Sequence, residues 1–177
     1  MYKKLLKHKG RFITLCFCTS VFTSCSNLDT EYYENGSLKT VSETYMGQRH
    51  GGTSVYYENG NMKTYAMYKQ GLPHGDTIAY YLNGRKEFEG KYVEGMADST
   101  STYYTEDGKI RTIMNHKDGV MHGPFVRYFP RTDVVFMEGQ YMNGKVVDTL
   151  EIYHDNGIKV RECYFNRNGE NIGCKDF

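Results

Sequence analysis

The sequence has no tryptophan and only 3 prolines among 177 residues. So little proline excludes a stiff polyproline linker, and 19 glycines point instead to many tight turns. Mean hydropathy is −0.65. The longest apolar run, Phe12 to Phe22, falls well short of the roughly 18 residues of a membrane span. There is no Gly-x-Ser-x-Gly elbow and no glycine-rich phosphate loop, so nucleophilic and phosphoryl chemistry find no support. A formal charge of +1 leaves no basic excess for a nucleic-acid surface. What is abundant is tyrosine. Seventeen Tyr and 9 Phe make the chain 15% aromatic, too aromatic for a disordered segment. Tyrosine fits a pleated, half-buried surface, so the composition leans towards strands. The length suits one domain.

The first residues read differently from the rest. Lys3, Lys4, Lys7, Lys9 and Arg11 stand without an acid, and the apolar run follows, within the usual length of a secretory core. Thr23-Ser24-Cys25 then resembles a bacterial lipobox, with Phe22 where leucine is usual. The expected organisation is a lipoprotein-type signal over 1–24, lipid on Cys25, a short tether over 25–30 and a repeat domain over 31–177. An ordinary cleaved signal or an uncleaved anchor are the alternatives. Loss of the five basic residues takes the charge from +1 to −4. The expected location is the cell envelope, membrane-anchored and facing the periplasm or the surface, an oxidising compartment.

YYENGSLKT from Tyr32 recurs as YYENGNMKT from Tyr56. Gly36, Gly60, Gly84 and Gly108 are spaced by 24, and a second series runs Gly47, Gly71, Gly95, Gly119, Gly144. Asp133, in Pro130-Arg131-Thr132-Asp133-Val134, stands near the place of a missing glycine. Segments between the glycines alternate apolar and polar as strands do. With Asn59-Gly60 as a two-residue type I′ turn, Val55 faces Thr64, Tyr56 faces Lys63 and Tyr57 faces Met62. Each unit is then a β-hairpin of about 24 residues that cannot bury its own apolar face and stacks on its neighbours. The predicted fold is all-β: an elongated, twisted antiparallel sheet of stacked hairpins, curved by strand twist.

These residues resemble the MORN repeat, specifically the bacterial variant often labelled an antitoxin component. Tyr80-Tyr81-Leu82-Asn83-Gly84 carries its first element. Glu89-Gly90-Lys91-Tyr92 and Glu138-Gly139-Gln140-Tyr141 carry the middle one. His50-Gly51, His74-Gly75 and His122-Gly123 carry the last. The resemblance covers essentially the whole chain after the signal. It implies a hairpin-repeat sheet and a binding role. Asp98-Ser99 and Val147-Asp148 replace His-Gly, and those units are expected to be distorted or locally bulged.

Cys163 and Cys174 are the cysteines left once Cys16, Cys18 and Cys25 are set aside. Taking Asn168-Gly169 as a two-residue turn places them directly opposite, within disulfide reach, with two buried thiols as the alternative. His50, His74 and His122 occupy equivalent places, about 10 Å apart for adjacent units and further for His122, two units from His74, too far to share a metal ion. No metal, cofactor or catalytic residue is therefore expected. Tyr56, Tyr80, Tyr103 and Tyr128 are the binding-face candidates, set against the plainer reading that the tyrosines pack on one another. The expected function is a non-catalytic protein-binding scaffold in the envelope, in its sharper form immunity- or antitoxin-like with a toxin as partner. The alternative is glycan or peptidoglycan binding on the aromatic ladder. Self-association through the open sheet edges is a further expectation.

Overall fold

The computed structural model describes residues 26–177. Cys25 and the signal and lipidation readings lie outside them. The strands are β1 (Asn27–Tyr32), β2 (Leu38–Tyr45), β3 (Gln48–Tyr56), β4 (Met62–Lys69), β5 (Leu72–Tyr80), β6 (Lys86–Val93) and β7 (Met96–Tyr104). They continue with β8 (Ile110–Lys117), β9 (Val120–Tyr128), β10 (Val135–Met142), β11 (Lys145–Tyr153), β12 (Lys159–Phe165) and β13 (Asn171–Asp176). They form one antiparallel sheet of 13 strands in sequence order, each hydrogen-bonded to the next. β1 and β13 do not pair, so the sheet is open and uncurled, the antiparallel sheet of stacked hairpins that the repeat predicts. At about 4.8 Å per strand the ribbon runs roughly 60 Å. Part of the expected tether belongs to the sheet, since Asp29 pairs with Ser42 and Thr30 with Val41.

The two glycine series make the two kinds of turn, but not as the sequence reading assigns them. Asn59 is not left-handed. Gly60 is, with φ +87°, and its N–H donates to the Tyr57 carbonyl while the Tyr57 N–H donates to Asn61. This is a longer turn followed by a bulge. Val55 pairs with Thr64, but Tyr56 pairs with Met62 and Lys63 is the extra residue. Asparagine is useful here for its side chain: Asn35, Asn59, Asn83 and Asn156 each accept the N–H two residues on, at 2.9–3.0 Å. The type I′ turns are those of the second series. Met46-Gly47, Gln70-Gly71, Glu94-Gly95, Asp118-Gly119 and Asn143-Gly144 all have positive φ at both residues.

Repeats are stitched together at both margins. At the type I′ margin the glycine N–H reaches back to the preceding unit: Gly71 to Arg49 at 2.8 Å, Gly95 to Pro73 at 2.8 Å, Gly119 to Ala97 at 2.9 Å and Gly144 to Met121 at 2.9 Å. At the other margin a tyrosine hydroxyl donates forward: Tyr33 to the Tyr56 carbonyl at 2.7 Å, Tyr57 to Tyr80 at 2.8 Å and Tyr81 to Tyr104 at 2.8 Å. Replacing Tyr33, Tyr57 and Tyr81 together by Phe removes three such bonds, worth about 1 kcal/mol each. Urea denaturation should show a loss of about 3 kcal/mol, drawn from β1–β7. No loss would mean the hydroxyls are equally well solvated.

A sheet without a second layer has a thin core. Thr40, Ser42, Thr53, Ala66, Ser101, Thr112, Phe125 and Cys163 are buried, and strand alternation puts them on one face. No side chain is fully buried among the described residues. The units that lack His-Gly are not exceptional. Every second hairpin carries the same register shift, between Ser42 and Thr44, Ala66 and Tyr68, Glu89 and Lys91, Met114 and His116, and Glu138 and Gln140. Gly51, Gly75 and Gly123 take the shift at φ +101° to +109°; Ser99 and Asp148 take it at φ +71° and +59°. Left-handed backbone is costly for residues with a Cβ, less so for Asp. Ser99→Gly should therefore stabilise by about 0.5–1 kcal/mol, and Asp148→Gly by less. Thermal melts that rank the two in the opposite order would refute this.

Candidate functional site

Every odd strand from β1 to β11 ends in tyrosine: Tyr32, Tyr56, Tyr80, Tyr104, Tyr128 and Tyr153. Their partners open the next strand: Leu38, Met62, Lys86, Ile110, Val135 and Lys159. Alternation places Tyr56, Tyr80 and Tyr128 on one face, in line with Ser54, Ile78 and Val126. The residue that completes the row is Tyr104, at the 24-residue interval. Tyr103 points to the opposite face and packs on Phe88 across the strand, ring centroids 5.0 Å apart. The sequence-derived set of four thus divides between the two faces.

The tyrosines in this row are not equally free. Tyr32 is exposed and the others are half-buried. The Tyr104 hydroxyl donates to Glu89, whose other oxygen binds Lys86 at 2.7 Å. The Tyr153 hydroxyl sits between Glu138, at 2.7 Å, and Glu151, at 2.6 Å. Lys159 then bridges Glu151 and Glu162, 2.8 Å from each. Burial, with the Glu89 bond, pushes the Tyr104 phenol up to about 12, and the Glu151 bond with burial raises that of Tyr153. Both therefore remain proton donors over the physiological range. Lys86 and then Tyr104 hold the Glu89 carboxyl below its usual range. Its contribution is present above the ordinary carboxylate pKa and is lost as pH falls through the lowered value.

At the opposite margin lies a feature that the sequence reading did not single out. Leu72, Met96 and Val120 follow the turn glycines at 24-residue intervals, and all three are exposed: 50%, 45% and 45%. Each rests near the turn glycine of the next unit. A Cβ built on Gly95, Gly119 or Gly144 would lie 3.4–3.7 Å from Leu72, Met96 or Val120. Val93, 45% exposed, pairs with Met96. The result is an aliphatic strip along the ribbon with one step per hairpin. The signal for it was an apolar residue after each of three consecutive turn glycines, Gly71, Gly95 and Gly119; Gln48 and Lys145 follow Gly47 and Gly144 and end the strip.

The remaining candidates stay apart. His50 tilts against Tyr45, ring centroids 5.8 Å apart, and His74 accepts the Glu94 N–H at 3.4 Å. No group of three or more potential metal ligands forms among the described residues. Cys163 and Cys174 are joined by a disulfide across β12 and β13, Cα atoms 4.0 Å apart. Among the described residues no helix is long and apolar enough to cross a membrane.

Residues 49–70 match the family described as the MORN repeat variant. The match takes in β3, the first turn and β4, one complete unit of the ribbon. No curated protein matches the chain. The chain thus carries a MORN repeat, a non-enzymatic type of repeat generally used to bind proteins or membranes. The same strands and register shifts recur from β1 to β12, with a longer turn between β9 and β10, so the other hairpins share the geometry of the matched unit.

Proposed function

We propose that this chain is a non-catalytic protein-binding scaffold held at the bacterial envelope by lipid on Cys25, of the immunity or antitoxin-like kind. The observation that supports protein binding is the strip of Leu72, Met96 and Val120. Contiguous exposed aliphatic surface is uncommon on a protein without partners, and it marks interaction sites. An exported immunity protein would meet its toxin in or beyond the envelope.

The test is recovery of partners from detergent-solubilised envelope with the full chain and with a Leu72→Ser/Met96→Ser/Val120→Ser variant. One stoichiometric protein, lost in the variant while the melting temperature holds, is the expected result. A toxic partner would make the role immunity. No protein partner would sink the scaffold reading. It would leave glycan binding, which the tyrosine row favours by offering one ring about every 10 Å. A Tyr56→Ser/Tyr80→Ser variant that loses glycan but not stability would then carry that alternative.

A further inference from the structure

The one hairpin turn that departs from the pattern borders a groove of about 540 Å³. Tyr103, Met114, Phe129 and Phe136 make most of its apolar lining, with Arg111 and Arg127 beside them. Tyr103, Thr112 and Arg127 are successive cross-strand neighbours on β7, β8 and β9. The Arg111 guanidinium lies 5.9 Å from the Tyr103 ring centre. Phe129 and Phe136 meet edge to face with centroids 5.0 Å apart and fix the far wall. The turn itself is one residue longer than its counterparts. Pro130 precedes Arg131 at φ +63°, the Phe129 N–H donates to Val134 at 2.9 Å, and Thr132 Oγ1 donates to Phe129 at 3.0 Å.

Arg127 breaks the repeat. Its counterparts are Val55, Ala79, Tyr103 and Ile152, with Glu31 in the first strand, and between them the row carries Thr40, Thr64, Phe88, Thr112 and Met137. Arg161, in the same row, is paired with Asp176. Arg127 and Arg111 form no ion pair among the described residues, and nearby Asp133 is held by Lys109. Arg85 and Arg131 line an adjoining hollow that shares Arg111 and Pro130. Four arginines thus border this turn, with Glu106 and Asp107 on the adjoining hollow, in a chain whose described residues carry a net charge of −4. A residue that violates the pattern of its repeat without a compensating partner points to a site.

We infer that this groove binds an acidic peptide segment in which a carboxylate neighbours an aromatic or aliphatic side chain. The guanidinium forks of Arg111 and Arg127 match a carboxylate, and the rings accept the apolar side chain. The volume is that of a small-ligand site and holds a few side chains. A bare oxyanion is disfavoured, since such sites surround the anion with donors whereas this one is mainly apolar. The groove lies on the opposite margin from Leu72, Met96 and Val120, so it is a second site and does not depend on the strip.

Fluorescence anisotropy of the purified full chain in detergent tests this directly. The probes are a fluorescein-labelled peptide alternating Asp with Phe and the same peptide with Lys for Asp. The acidic peptide should bind saturably and the basic one should not. Arg111→Gln/Arg127→Gln should weaken binding by at least about tenfold, the loss of one charge-assisted hydrogen bond or more. Arg49→Gln, on a distant exposed arginine, should leave it unchanged. Arg111 and Arg127 are both exposed, so the double variant should keep its melting temperature; single variants with partial losses serve if it does not. Equal binding of the two peptides, wild-type binding by the double variant, or full displacement by inorganic phosphate would each overturn the proposal. None of these outcomes bears on recovery of a partner through the aliphatic strip.

Discussion

Gly139→Val is expected to lower stability by about 2 kcal/mol and to split a single unfolding transition into two. A Cβ built at Gly139 lies 3.1 Å from Phe125 Cε1, 3.1 Å from the Thr149 carbonyl oxygen and 3.3 Å from Leu150 Cδ1. The carbonyl is part of β11 and cannot swing away, so the added methyls must push two strands apart. Overpacking of this kind costs about 3 kcal/mol at its upper range. Valine's preference for strands returns up to about 1 kcal/mol, and the clash wins. Gly90 is the informative contrast. Its built Cβ comes closer, 2.8 Å from Phe88 Cζ and 2.9 Å from Ser101 Oγ, but both are side-chain ends that can rotate. Gly90→Ala should therefore cost less than Gly139→Val. Each strand bonds only to its sequence neighbours, so a lesion in β10 uncouples β1–β9 from β11–β13. Urea titration followed by amide exchange would show the two parts melting separately. A single wild-type transition would mean that Phe125 does not require glycine beneath it.

The Glu-Gly-x-Tyr element was legible as a pattern before its reason was visible: the glycine lies under an aromatic ring. The strands were legible for a similar reason, because glycine recurs with the period of the turns. Turn types were not. Asn-Gly suits two different turns, and a sequence does not show which backbone angle asparagine takes. The tyrosine row was misread by one residue at Tyr103 because Tyr103-Tyr104 offers two rings, and only the interval of 24 from Tyr80 selects Tyr104. Cys163 faces Cys174 by a different route from the one the spacing suggested. The turn is longer than two residues, with Phe165 opposite Asn171, and the bulge at Ile172 restores the register so that Tyr164 meets Gly173. The aliphatic strip and the groove stayed hidden because they join residues from different hairpins. Arg127 could have been found by aligning the units with one another, since it puts a positive charge where the neighbouring units have Val, Ala, Tyr and Ile.

Cys163→Ser/Cys174→Ser should free the last hairpin while leaving the rest of the ribbon folded. The bridge joins residues 11 apart, and closing a loop of that size stabilises by about 3 kcal/mol. Little else holds β13. All its residues are exposed, and the Arg161–Asp176 ion pair, also exposed, is screened by solvent and adds little. Amide exchange across Asn171–Asp176 should accelerate by roughly a hundredfold, the equivalent of that energy. Exchange in β1–β9 should not change, because no contact connects β13 to them. β12 would become the new edge, an unpaired row of N–H and C=O groups open to a second copy. Light scattering should therefore show more self-association in the variant than in the bridged chain. The comparison with Gly139 decides how the sheet is held. A lesion at the end should release one strand, and a lesion inside should divide the ribbon. If both instead unfold β1–β13 together, the sheet is one cooperative body, and the clasps of Tyr33, Tyr57 and Tyr81 transmit more than their own hydrogen bonds.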